Sequence, residues 1–275
     1  VYYEFPEDKL LPFTVEEAIA KVPIGPRSIA DHIVDIAACF NIRPSNIMCE
    51  WLLRLWIVLI RADDAVDEAP RDRRGDAAKL CIRLITGEVP YDRKLPRWVV
   101  PRDLARVIAI LRTAFAGTSQ LGRMPVLAEE ILTLSRAKSE TTNVITYIRT
   151  VVAENTKVAE WAMLCMSDEE ATDPAYVELW RWGTIFIVKL ALHDALVDLY
   201  DDHRKGTILV RTTRLNESIL WLAWRLYSLR ALRNPRVALA ARKSTRVRFY
   251  AVTRKPTQTR AQRRASALFH VHIDE

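Results

Sequence analysis

The stretch 51–68, WLLRLWIVLIRADDAVDE, decides how this chain is read. It begins as an apolar, helix-forming run from Trp51 to Ile60, broken by Arg54, and then places Asp63, Asp64, Asp67 and Glu68 close together. Stability alone argues against such an ending. Acids in the last turn of a helix oppose the negative end of its dipole, and a like-charged i,i+4 pair such as Asp63 and Asp67 costs roughly 0.2–0.5 kcal/mol. An outside cation would relieve both effects. The i,i+4 spacing sets the two carboxylates on one helix face, and all-oxygen ligation suits a hard divalent ion, Mg²⁺ above a metal that prefers thiolate or imidazole. A solvated acidic turn before Pro70 is the alternative.

A second stretch follows the same plan. Residues 190–205, LALHDALVDLYDDHRK, carry Asp194, Asp198 and Asp202 at i, i+4 and i+8, after the apolar run from Trp180 to Leu192. Apolar residues and one tyrosine separate these acids, so a single register of the helix is acidic until Asp201. A packing helix would interleave bases at i+3 or i+4 along such a line. Instead, His203, Arg204 and Lys205 gather at the helix end, where cations suit the dipole and can meet an anion. Two acidic helix ends far apart in sequence point to a site that clamps several Mg²⁺ ions on a polyanion such as a diphosphate.

Outward from these stretches, apolar residues recur at spacings of three and four through 29–40, 47–66, 77–85, 104–115, 126–134, 144–166, 176–200, 219–232 and 237–250. Pro90, Pro96 and Pro101 mark one long connection, and Gly117, Gly122 and Pro125 another. Pro174 and Pro235 stand where helices begin. No strand-type alternation is sustained and no repeat recurs. The expected fold is all-α: a single-domain helical bundle over 1–252 with a central active-site cavity, the acid motifs projecting inward at one end, and a basic tail over 253–275. Trp56, two turns before Asp63, and Trp161, three turns beyond Arg149, are candidates for aromatic cavity walls that favour cations. For any single tryptophan, plain core packing is the better reading.

Composition narrows the function classes. In 275 residues, 50% are hydrophobic and 27% charged, ordinary for one globular core. The seven glycines form neither G-x-G-x-x-G nor G-x-x-x-x-G-K, which sets aside a phosphate-cradling loop. Cys39, Cys49, Cys81 and Cys165 lack C-x-x-C spacing and read as small buried residues of a reducing compartment. Neither a signal peptide nor a membrane span is evident, so a cytoplasmic location is expected. The net charge of +7 collects in 225–264, which contains no acid. Base-reading motifs are lacking there, so a solvated face and tail are expected and no nucleic-acid partner.

With these motifs in place, the chain resembles the class I terpene synthases of the isoprenoid synthase superfamily. Asp63-Asp64-x-x-Asp67 is similar to that family's aspartate-rich motif, and Asp194, Asp198 and Asp202 fall at the spacing of its second motif. Tyr147-Ile148-Arg149 stands where family members carry a diphosphate-sensing arginine, and Arg248-Phe249-Tyr250 is the nearest match to a C-terminal Arg-Tyr pair. Departures are Asp198 in place of Ser or Thr, Asp202 in place of Glu, Ala195 in place of Asp, and Phe249 between Arg248 and Tyr250. The all-Asp second motif, with Asp198 to Gly206 reading DLYDDHRKG, also resembles the squalene and phytoene synthase branch.

The resemblance implies ionisation of an allylic prenyl diphosphate (farnesyl or geranylgeranyl diphosphate), release of diphosphate, and a cyclic or linear terpene product. It implies three Mg²⁺ ions held by Asp63, Asp64, Asp67, Asp194, Asp198 and Asp202. Asp63, Asp67 and Arg149 would be the catalytic set, with Arg149, Arg204, Lys205, Arg248 and Tyr250 binding diphosphate. It leaves room for a homodimer. The alternative activity is head-to-head coupling of two prenyl diphosphates.

Overall fold

The computed structural model describes residues 2–3, 37, 40–67, 69, 71–88, 95–96 and 102–235. Among them are eight α-helices: α1 (Asn46–Asp67), α2 (Arg74–Thr86), α3 (Arg102–Ala114), α4 (Ser119–Glu140), α5 (Val144–Ala162), α6 (Asp168–Thr172), α7 (Pro174–Lys205) and α8 (Arg214–Leu232). Apart from two 3₁₀ turns, the only other regular structure among the described residues is a two-residue antiparallel pairing of Tyr2–Tyr3 with Leu95–Pro96. The fold is therefore all-helical, and no described helix is long and apolar enough to cross a membrane. The expected helix over 237–250 lies outside the described residues, as does most of that over 29–40.

The chain divides into two compact units, one comprising Val1–Ala30, Pro44–Leu132 and Glu160–Thr172, the other Asp31–Arg43, Thr133–Ala159 and Asp173–Glu275. In the first, α1 is the central element. The Ser45 hydroxyl caps it by accepting from the Met48 N–H at 3.1 Å. Leu52, Leu53, Leu55, Trp56, Ile57, Val58, Ala62 and Ala65 are all buried, which means α1 is apolar around most of its circumference and surrounded by neighbours. Leu104, Val107, Ile108 and Leu111 supply the buried stripe of α3, and Ala77, Cys81, Leu84 and Ile85 that of α2. At the end of α2, Gly87 adopts φ 82°, with the Arg112 guanidinium lying where a Cβ would stand. Arg112 donates from there to the Ile85 carbonyl at 2.7 Å, and the left-handed dihedral favours glycine.

One expected break is absent. Gly117 does turn the chain, at φ 79°, but α4 starts at Ser119 and runs through Gly122 and Pro125. Buried Met124, Leu127, Ala128 and Ile131, with the Gln120 amide donating to the Met166 carbonyl at 2.7 Å, hold that turn in the unit despite the hydrogen bond proline cannot make. Two thiols, Cys81 and Cys165, are buried in this unit, and Cys49 is half-buried. Burial pushes Cys81 up to about 12, and Cys49 and Cys165 are also raised, chiefly by burial.

The second unit is organised by α7, 32 residues long. Asp173 caps its start by accepting from the Ala175 N–H at 2.7 Å, with Pro174 in the first turn as the sequence suggested. Its core joins Val144, Tyr147 and Val151 of α5 to Val188, Leu192, Leu196 and Leu199 of α7 and Leu220 and Trp224 of α8. Ala37, Phe40 and Ile42 pack on Leu179 and Phe186 in a smaller cluster. Asn143 caps α5 through the N–H groups of Ile145 and Thr146, and Thr213 caps α8 through that of Asn216.

Candidate functional site

The acid line of the second unit occupies the last three turns of α7. Asp194 is exposed while Asp198 and Asp202 are half-buried, and Leu196, Val197 and Leu199 between them point into the core. Directly after Asp202 the helix is closed by Gly206 at φ 72°. The Gly206 N–H reaches the His203 carbonyl at 3.1 Å and the Thr207 N–H the Asp202 carbonyl at 3.0 Å, the paired bonds of a Schellman cap. The Thr207 hydroxyl adds a bond to the same carbonyl at 2.9 Å. Asp202 is thus fixed by its backbone at the helix terminus, with exposed Arg204 and Lys205 beside it. Arg204 lies 3.5 Å from Asp201 in an ion pair.

Tyr147 of α5 faces this line. It is 2% exposed, and its phenol is pushed well above the ordinary range by burial first, then by the negative charges of Asp202, Glu154, Asp194 and Asp198. The hydroxyl therefore stays neutral at physiological pH. Glu154 is itself buried and held by the Lys138 ammonium, at 2.7 and 2.9 Å to its two oxygens. The sequence suggested Tyr147 only as a marker preceding Arg149, and packing against α7 gives it this second character.

Arg149 is placed differently from expectation. At about 100° per residue, two residues put it roughly 200° around α5 from Tyr147, and its side chain is exposed. The buried positions of α5 are Val144, Tyr147, Val151 and Glu154 and, further along, Ala159, Trp161 and Ala162, with Val152 partly buried.

Two further titratable groups sit on α7 just before the acids. Lys189 and His193, one turn apart, are 9% and 6% exposed. Burial lowers Lys189 to about 8, and its ammonium stands 5.3 Å from the Phe186 ring centroid. His193 is lowered to about 4 by burial and then by the charge of Lys189, and its ring lies 5.7 Å from that of Trp224. Their interruption of an apolar run was the visible signal. An open depression of about 430 Å³ bordered by Phe40, Glu178, Trp182 and Arg233 belongs to the same unit, but Trp182 is twelve residues from Asp194, about 18 Å along the helix.

In the first unit, Asp63 is exposed near the end of α1. The helix continues through Asp64 and Asp67, whose side chains lie outside the described residues, as do Arg248 and Tyr250. Trp161 is fully enclosed and donates its indole N–H to the Leu55 carbonyl at 2.8 Å, which ties it to the backbone of α1. Trp56 is 6% exposed and packs within the same unit.

The donor chemistry on α7 fits Mg²⁺: oxygen ligands only, at a partly open helix end. Four residues of helix rise about 6 Å, so Asp194 and Asp202 stand about 12 Å apart in axial position and cannot share one ion with Asp198 at ligand distances near 2.1 Å. Among the described residues no three or more His, Cys, Asp or Glu side chains converge as a metal site. Comparison of the chain with protein-family models, with curated proteins and with solved structures finds no match.

Proposed function

We propose that this chain is a Mg²⁺-dependent enzyme of the class I terpene synthase kind, which ionises an allylic prenyl diphosphate of fifteen or twenty carbons and releases diphosphate. The observation that carries the reading is the line Asp194, Asp198, Asp202 at i, i+4 and i+8 over the last turns of α7, with basic residues following at the helix end. Asp63, Asp64 and Asp67 supply the matching acid motif on α1. On α7, Asp194, Asp198 and Asp202 would hold Mg²⁺, which when bound would supply Lewis-acid stabilisation of a departing diphosphate.

The protein's own part begins with charge. Arg204 and Lys205, exposed at the end of α7, attract the diphosphate and offset negative charge as the C–O bond breaks. Tyr147, buried in the apolar core between α5 and α7, keeps a neutral phenol on the inner side of the acid line. The buried aliphatic side chains of α5 and α7 keep water from the inner side of that line, and an apolar pocket folds the resulting allylic cation. Family likeness adds Arg248 and Tyr250 as further diphosphate contacts, whereas exposed Arg149 is left outside the set.

A second reading, coupling of two prenyl diphosphates, is favoured by the all-Asp sequence Asp198 to Gly206. One assay separates the two. Purified protein is incubated with C10, C15 and C20 prenyl diphosphates and Mg²⁺, released diphosphate is measured, and volatile and nonvolatile hydrocarbons are analysed. Release with a product of unchanged carbon number supports the proposal, doubled carbon number supports coupling, and no release with any substrate removes both. Asp63→Asn is the control: it should lose most turnover yet keep its thermal midpoint, because it removes a charge from a repulsive cluster.

A further inference from the structure

α8 is apolar on two opposite sides, and only one of them is used by the fold. Glu217, Leu220, Trp224, Ser228 and Ala231 are buried. On the other side Leu215 is 69% exposed, Leu222 53%, Leu226 57% and Leu229 50%. At about 100° and 1.5 Å per residue these four leucines fall within an arc of about 60° and extend for about 21 Å, a straight stripe on the outside of the helix. Scattered exposed leucines need no explanation, but a stripe in one register does.

The charges beside the stripe all have one sign. Arg214 and Arg225 lie along one edge, Arg230 along the other, and Arg233 at the C-terminal end, while the single acid of α8, Glu217, is on the buried side. Charge therefore discriminates among occupants. A second copy of the same face would bring arginine rims together, and the chain's own continuation, 236–264, is basic and free of acids. A surface that offers both negative charge and an apolar layer matches the stripe and its rim at once. From this pattern we infer that α8 is a docking helix for an anionic lipid surface, lying in the interface with its leucines among the acyl chains and its arginines at the headgroups.

The adjoining basic sequence favours lipid over an acidic protein helix. A single apolar element gives marginal, reversible membrane binding, and a polybasic neighbour is the usual second contribution, each base near an anionic surface adding about 1 kcal/mol. Here the leucine stripe and the acid-free segment are contiguous in sequence. No described helix can span a bilayer, so attachment is to one leaflet.

The test uses the full chain and sedimentation with phosphatidylcholine vesicles, with and without phosphatidylserine. The wild type should partition onto the phosphatidylserine vesicles and much less onto the neutral ones, and less so at high salt. Leu222→Ser with Leu226→Ser, both at sites more than half exposed, should weaken partitioning by about tenfold or more with an unchanged circular dichroism spectrum. Arg225→Glu with Arg230→Glu is the second pair and should do the same. Wild-type partitioning in either pair would assign the attraction to the tail alone and overturn the inference. So would absence of vesicle binding by the wild type, whether because the stripe instead holds a dimer that the leucine pair disperses or because it takes up an acidic amphipathic peptide. Partitioning is read without substrate, so its failure is distinct from failure of the proposed activity.

Discussion

Tyr147 and Arg149 are two residues apart and have opposite surroundings. The phenol is enclosed by α7 and influenced by four carboxylates, whereas the guanidinium stands in solvent. Tyr147→Phe removes one hydroxyl without changing the packing volume, so the fold should persist within about 1 kcal/mol. The phenol on the inner side of the acid line is lost with it, and the Mg²⁺ concentration for half-maximal diphosphate release should rise several-fold; an unchanged Mg²⁺ titration would make Tyr147 a packing residue only. An exposed arginine contributes little to a distant charge in high dielectric. Arg149→Lys should accordingly release diphosphate in a single turnover within about twofold of wild type, and a large loss would return Arg149 to the site.

At the scale of the element, α7 combines a strong start, a costly middle and a fixed end. Gly206 is in the left-handed region at φ 72° and a Cβ there would meet nothing within 4 Å, so Gly206→Ala isolates the conformational cost, about 1–2 kcal/mol. Urea unfolding should show that loss, and because Asp202 is anchored by the same cap, the Mg²⁺ requirement should rise with it. In the middle, Lys189 has a folded pKa of about 8 against an ordinary 10.5. Its neutral form suits the core, so its contribution to stability is full above 10.5 and falls as the pH drops towards 8; below that, the folded state carries a buried charge. Lys189→Met should raise stability at pH 7 by on the order of 3 kcal/mol and flatten the rise in urea midpoint between pH 8 and 10.5. A variant no more stable than wild type at pH 7 would mean that the ammonium's surroundings offset its burial.

For the whole molecule, what could be read from sequence was what is local. The Asp173-Pro174 start and Gly206 end of α7 are set by residues within one turn, and the apolar spacing of three and four gives the helices because it depends on no partner. Pro125 was misread as a break because tertiary burial of Met124 and Leu127 outweighs its missing hydrogen bond. The acid line itself was legible as a spacing, but the burial of Tyr147 on its inner side depends on how α5 packs on α7, and packing is absent from a one-dimensional pattern. Arg149 was legible only as a spacing matched to a family motif, and its exposure on α5 is a property of packing that the spacing does not contain.

The two buried thiols of the first unit have a practical consequence. A thiol reacts as thiolate, so Cys81, with a pKa of about 12, and fully buried Cys165 are almost inert while the unit is closed. Alkylation by a small reagent would then proceed at the frequency with which α2 and the turn Met163–Cys165 open, and the chain carries its own clock for local unfolding. Timing the labelling of Cys81 and Cys165 with and without prenyl diphosphate and Mg²⁺ would register ligand binding by the first unit as slower labelling, with no need for turnover.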